Sequence, residues 1–403
     1  MKIPLAHSGL RENDINAAIL VLKSGQLTMG KQVAAFEERI AEYLGTKYFV
    51  MVNSGSSANL LMVEALLRPS KGKPKLKQGD CVLVPAIAWP TTIWPLIQLG
   101  LNPIFVDINA STLAIDLNEA QQILDESKIE IKAIFPIHPL GYAIPPSQLN
   151  EFAERNELLL INDVCESLGS WSEGRHAGNV GIASSYSFYF SHHITTMEGG
   201  GIATNDLQVC DDLKSMRSHG WSRDRSDVLE WSKDLSSNDS KFLFVSTGYN
   251  VRPTELQAAL GFSQIAEIDK FISKRRYIVK RVIEALAGTE LSVIGAETFE
   301  NSTSQRTHSW MLIPIIVRGK EPASQKKRIV GILNEKEIET RPVLTGNFLA
   351  QPSIRRITKN LLPPESFKSA SMISETAFLI GAHHDMREDQ INFLCETLAA
   401  LST

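Results

Sequence analysis

The chain has 403 residues, with 41 Lys and Arg against 45 Asp and Glu, for a formal charge of −4. That length calls for two packed lobes, or one large α/β domain with an appendage. Hydrophobic residues make up 43% and charged residues 21%, which excludes a disordered chain, and the charge balance excludes a protein held to polyanions by net charge. No apolar run reaches the ~18 residues of a membrane span, and the opening residues lack the apolar stretch of a secretory signal, so a cytoplasmic location is expected. Cys81, Cys165, Cys210 and Cys395 are scattered, with no CxxC pair, which argues against a disulfide framework, a zinc knuckle or an iron–sulfur cluster.

In chain order, an apolar strand at 46–52 runs into a hydroxyl-rich turn at 53–59 and a helix at 60–67. Four lysines at 71–77 read as a solvated loop. A strand from Cys81, a helix at 91–99 and a strand from Pro103 follow, then strands at 131–137 and 158–162. Continuous apolar strands separated by helices predict a parallel sheet covered on both faces, with ligands at the strands' carboxyl ends. Alternating Ser and aromatic residues predict a further strand up to Phe190. One long helix is predicted over 256–286. Beyond it a strand from Trp310, a helix at 326–334 and a last helix at 388–398 suggest a small α+β lobe. The expected division is 1–270 and 271–403.

Four segments carry candidate chemistry. In the turn at 53–59, small residues open a helix, and the free N–H groups and dipole there suit an anion, although Ser is also an ordinary helix cap. Asp163 ends an apolar strand, where it is either a turn residue or the partner of a protonated pyridine nitrogen. His192 and His193 precede three glycines. Adjacent side chains on extended backbone point to opposite faces, which disfavours a shared metal, and a general base is the better reading. The segment from Ser246 reads as a loop entering a capped helix, with Asn250 and Arg252 as exposed polar candidates.

These segments, in this order, resemble the DegT/DnrJ/EryC1/StrS sugar aminotransferases: SGQLTMGKQVAAFEERIAEYLG, NSGSSANLL, VPAIAWPTTIWPLIQLGLNPIFVDI, INDVCESLGS, SFYFSHHITTMEGGGIAT and GYNVRPTELQAALG. The resemblance implies an α/β protein of the fold type I aminotransferase class. Its large lobe would hold a mostly parallel seven-stranded sheet sandwiched by helices, with a small α+β C-terminal lobe. It implies that Ser56, Ser57 and Ser187 hold the phosphate of pyridoxal or pyridoxamine phosphate, with Asn250 reaching it from the other subunit of a homodimer. Trp89 would stack on the ring, Asp163 would pair with its nitrogen, and Glu166 would lie near its hydroxyl. Softer carry-overs place Thr28, Gly30, Arg223 and Asn347 near substrate.

The family's lysine position falls at His192, and no lysine lies between Lys132 and Lys214. Imidazole cannot hold the aldehyde form of the cofactor covalently, so the amine form can persist. That substitution, with HHIT, WPTT and TGNFLAQP, is similar to a subgroup of pyridoxamine phosphate-dependent sugar 3-dehydratases. The isolated cysteines favour its cluster-free type, which acts on a GDP-linked 4-keto-6-deoxy sugar of lipopolysaccharide O-antigen. His192 would be the catalytic base, and glutamate would regenerate the cofactor. The stretch after His219 suggests a sibling with another sugar. The alternatives are a carbohydrate aminotransferase without the lysine and a non-catalytic family member.

Overall fold

A computed structural model of the chain describes residues 1–7, 9–299, 308–358 and 361–401. The central sheet has seven strands: β1 Tyr48–Val52, β2 Cys81–Pro85, β3 Asn102–Val106, β4 Ile131–Ile134, β5 Leu159–Asp163, β6 Ala183–Ser187 and β7 Gly200–Thr204. They lie in the order β1-β7-β6-β5-β4-β2-β3, and only β7 runs antiparallel to its neighbours. Val82, Leu83 and Val84 are wholly buried, as strands covered on both faces require. The parallel strands end on one edge of the sheet. Asp163 and Ser187 are the last residues of β5 and β6 there, and β1 feeds helix α3 at the same edge.

Helices α1 Glu12–Ser24 and α2 Lys31–Leu44 lead the chain, α3 is Gly55–Leu67, and α4 is Pro90–Gln98. The expected long helix is two helices, α5 Glu255–Ile265 and α6 Ile268–Ala285. Ala266 and Glu267 form the turn between them, and no Gly or Pro announces it. The Gln264 side chain fixes the turn by accepting the Thr195 N–H at 3.0 Å and donating to the Thr195 carbonyl at 2.8 Å. The re-aimed α6 places Phe271 and Ile272 in the apolar cluster that also holds the buried face of α2, and Ile278, Val279 and Val282 in the C-terminal core.

The C-terminal sheet has β8 Leu291–Val293, β9 Leu312–Val317, β10 Thr340–Arg341 and β11 Ala377–Gly381, in the antiparallel order β8-β9-β11-β10. The first residues depart from the expected division. Ile3 is buried in this lobe's core, donating its N–H to Glu337 O at 2.9 Å and accepting from Glu339 N–H at 2.9 Å. An isolated apolar residue near a terminus carries no sequence signal for such a bridge. The strand expected to reach Phe190 stops at Ser187, where the chain turns outward and leaves Tyr189 and Phe190 exposed.

Helix α2 starts at Gly30, which has no side chain to cap it. The buried carboxylate of Glu255 on α5 does so instead, accepting the N–H groups of Gly30 (3.0 Å), Gln32 (2.8 Å) and Val33 (3.1 Å). A Cβ on residue 30 would lie 2.5 Å from Glu255 Oε2, so glycine is required for this approach. Glu255→Ala is expected to lower the unfolding free energy by about 2–4 kcal/mol, because it removes one charged acceptor from three donors. Urea denaturation checks this, and a loss below about 1 kcal/mol would show that the cap contributes no more than an ordinary neutral hydrogen bond.

Candidate active site

At the carboxyl edge of the sheet lies a cavity of about 410 Å³. Ser54, Gly55 and Ser56 at the start of α3, Trp89 and Thr92 at the start of α4, Asp163, Glu166, Ser187 and His192 line it, and Met311, Arg341 and Leu344 close it from the C-terminal lobe.

Asp163 is anchored from three elements. Asn59 Nδ2 and Thr92 Oγ1 each donate to its Oδ2 at 2.8 Å, and the Cys165 N–H donates to Oδ1 at 3.0 Å. Asn59 is in turn held by Ser185, whose Oγ donates to Asn59 Oδ1 at 2.5 Å. Burial and the Asp163 charge push the Cys165 thiol's pKa up, so no thiolate forms beside it. Glu166 is buried and accepts the Leu140 N–H at 2.9 Å. Burial raises its pKa, and the Arg341 guanidinium partly opposes that rise.

The opposite wall is backbone. Ser54 caps α3 by accepting the Ser57 N–H at 3.1 Å, and the first-turn N–H groups of Gly55 and Ser56 have no intrahelical acceptor. A Cβ on Gly55 would fall 2.6 Å from Ser187 Cβ, and one on Gly200 would fall 2.5 Å from Gly55 N. Only glycines allow this floor, where a helix start meets a serine hydroxyl as an anion seat requires.

His192 is half-buried on the cavity wall. Burial first, then the charges of Arg341 and Arg275, push its pKa down to about 3, so its imidazole is neutral. His193 faces away, buried with Nε2 3.3 Å from Ser309 O, and the two rings share no site. Among the described residues no three His, Cys, Asp or Glu side chains form a metal set, and no helix is long and apolar enough to cross a membrane.

The arrangement fits pyridoxamine phosphate: a carboxylate for a ring nitrogen, a helix start for a phosphate, an indole 51% exposed at the mouth, and imidazole in place of an amine. A profile of the DegT/DnrJ/EryC1/StrS aminotransferase family matches residues 9–399. The chain belongs to that family. Within the DegT/DnrJ/EryC1/StrS family it is 36% identical over 400 residues to GDP-4-keto-6-deoxy-D-mannose 3-dehydratase of Yersinia pseudotuberculosis, covering 99% of this chain and 98% of that one. The structure of the E. coli GDP-4-keto-6-deoxy-D-mannose-3-dehydratase with bound hydrated PLP superposes with a TM-score of 0.88 at 34% identity, covering 99% of each chain. A structure of GDP-4-keto-6-deoxymannose-3-dehydratase with a trapped PLP-glutamate geminal diamine gives 0.87 at 33% identity, covering 98% of this chain and all of that one.

The fold brings Ser56, Trp89, Asp163, Glu166, Ser187 and His192 together. Ser57 stands behind the wall, its hydroxyl 3.1 Å from that of Ser54. Asn250 is exposed outside the cavity, where its Oδ1 accepts from Arg252 Nε at 3.0 Å. Thr28 is exposed and bridges Thr254, and Gly30 belongs to the α2 cap. Arg223 lies over the Trp221 ring at 5.3 Å, away from the cavity. Asn347 lies outside the cavity lining: its side chain donates to Pro364 O and Ser371 Oγ and accepts the Leu349 N–H, bracing a loop. Arg341, Met311 and Thr92 were not singled out from sequence. Thr92 sat inside the WPTT segment, whereas Arg341 on a two-residue strand offers no local pattern.

The buried imidazoles of His138 and His176 have pKa values lowered to about 4 and about 3, both chiefly by burial. Each accepts a backbone N–H, from Ile144 (3.2 Å) and Gly169 (2.8 Å), that a protonated ring could not accept. The unfolded chain therefore takes up protons first as pH falls below about 6.5. Stability is full above that pH, declines below it, and levels off where the folded rings also protonate. Urea midpoints at pH 7.5 and 5.0 are expected to show this fall, and equal midpoints would refute it.

Proposed function

We propose that the chain is a pyridoxamine phosphate-dependent nucleotide-sugar 3-dehydratase, acting on a GDP-linked 4-keto-6-deoxy sugar and using glutamate as amino donor. The observation that carries this reading is His192: an imidazole on the cavity wall where the family otherwise has its lysine, in the same cavity as an anchored Asp163. The bound cofactor supplies an amine for the sugar ketone and a ring that accepts electrons. Asp163 would hold the ring nitrogen, Gly55, Ser56 and Ser187 the phosphate, and Trp89 the ring face. His192 is the base that moves the proton, since it stands on the cavity wall at the family's lysine position. Arg341 places a positive charge in the cavity, with a buried Nε that has no hydrogen-bond partner among the described residues, and this suits an anionic donor or substrate. The sugar would lose its 3-hydroxyl as water and leave as a 3-deoxy-4-keto product, with the cofactor's nitrogen released as ammonia and replaced from glutamate.

The test is incubation with pyridoxamine phosphate, glutamate and GDP-4-keto-6-deoxymannose, read by mass spectrometry. The expected product lacks one oxygen and carries no added nitrogen; a stable amino sugar would overturn the assignment. His192→Asn is expected to lower the rate at least about 100-fold, the usual scale of a lost general base, while cofactor binding persists.

The same reading includes a homodimer with shared sites. The segment after Ser218 exposes Leu229, Phe242 and Phe244, and Asn250 lies exposed beside it. A second copy of the chain would cover these apolar groups and bring its Asn250 to the phosphate. Mixing inactive His192→Asn and Asn250→Ala proteins is expected to restore activity, because one site of each mixed dimer regains both residues. No restoration after verified subunit exchange would place Asn250 and His192 of one subunit in one site.

A further inference from the structure

We propose that Met311 is a positioning residue that fixes the tautomer of His192, an inference that rests on reading His192 as the base. His192 Nδ1 lies 3.3 Å from Met311 Sδ. A thioether has lone pairs and no hydrogen to donate, so the contact is attractive only when Nδ1 carries the proton. Nε2 is then left with the lone pair, and no described residue hydrogen-bonds to it. The ring nitrogen not used in the reaction thus sets the state of the one that is.

Several costly features converge on the placement of that sulfur. Met311 donates its N–H to Leu140 O at 2.9 Å, and its carbonyl accepts from Arg275 Nη1 at 2.8 Å. Leu140 and Trp310 both adopt left-handed backbone, each at φ +52°, although neither is glycine. Such a conformation is strained for a residue with a Cβ and persists only where the surroundings impose it. Gly141 is needed as well, since a Cβ there would meet Trp310 N at 2.3 Å. Arg275 is 2% exposed, makes no ion pair among the described residues, and leaves its Nε without an acceptor. Strain and a buried cation together lock one short segment, and what that segment presents to the cavity is the Met311 side chain. A leucine would fill the same volume but offer Nδ1–H no acceptor. The proton could then move to Nε2 and silence the base.

The test uses protein labelled with ¹⁵N-histidine and no cofactor, with His192 assigned by its loss in His192→Asn. The native ring is expected to be mainly the Nδ1–H form. Met311→Leu, a volume-conserving change that the core tolerates, is expected to shift the ring toward Nε2–H. It should lower kcat about tenfold with KM for the sugar nucleotide unchanged, because the wrong tautomer withdraws a base without altering binding. Met311→Gln, whose amide oxygen can accept from Nδ1–H, should restore both. An unchanged tautomer in Met311→Leu overturns the proposal, as does a changed tautomer with unchanged kcat. Failure of His192 as the base would show separately, as retained activity in His192→Asn.

Discussion

A single carboxylate at the end of an apolar strand fixes the rest of the site. Burying Asp163 without partners would cost several kcal/mol, and the structure offsets this with donors from helix α3, helix α4 and its own turn. Satisfying one group from three elements also sets their mutual positions. Asn59 and Ser54 share α3, so the residue that anchors the carboxylate also fixes where that helix presents its free N–H groups. Thr92 shares α4 with the Trp89 cap, which sets the aromatic side of the cavity. The positions of the carboxylate, the helix start and the indole are therefore three readouts of one hydrogen-bonded centre.

The electrostatics around that centre separate roles. Asp163 carries negative charge beside the turn that ends β5, and burial keeps its neighbours Cys165 and Glu166 from adding to it readily. Across the cavity, burial first and then the nearby charge of Arg275 lower the pKa of His192 and His193, and Arg341 adds to the effect on His192. The cavity is thus polarised, with an acceptor of positive charge at its base and a neutral imidazole across from it.

Much of the large lobe was legible because its strands are unbroken apolar runs and its turns carry Gly, Ser and Asp in positions with local meaning. The turn at residues 53–59, the end of β5 and the two histidines could all be placed at one edge from those signals. The small lobe's contribution could not. Arg341 and Met311 reach the cavity through pairings between segments far apart in sequence, and neither sits in a periodic pattern. The break at Ala266 was equally silent, because a side-chain clamp from Gln264 makes it rather than a turn-forming residue. The partners of Asn347 were silent for a related reason: Pro364 and Ser371 lie 17 and 24 residues further along the chain.

The cap that Glu255 provides for α2 has a consequence for synthesis of the chain. The acceptor lies 222 residues downstream of Val33, whose N–H it receives. A ribosome releases α2 long before it has made its cap. In that interval Val33, Phe36 and Ile40 also lack cover, because Ala258 and Ile265 arrive on the same late helix. Nascent chains ending before residue 255 thus expose an oily stripe on an unsealed helix, and maturation of the amino-terminal layer waits for translation to pass that point. The fold makes its first helical layer one of the last to close, so the growing polypeptide needs shielding through more than half its length.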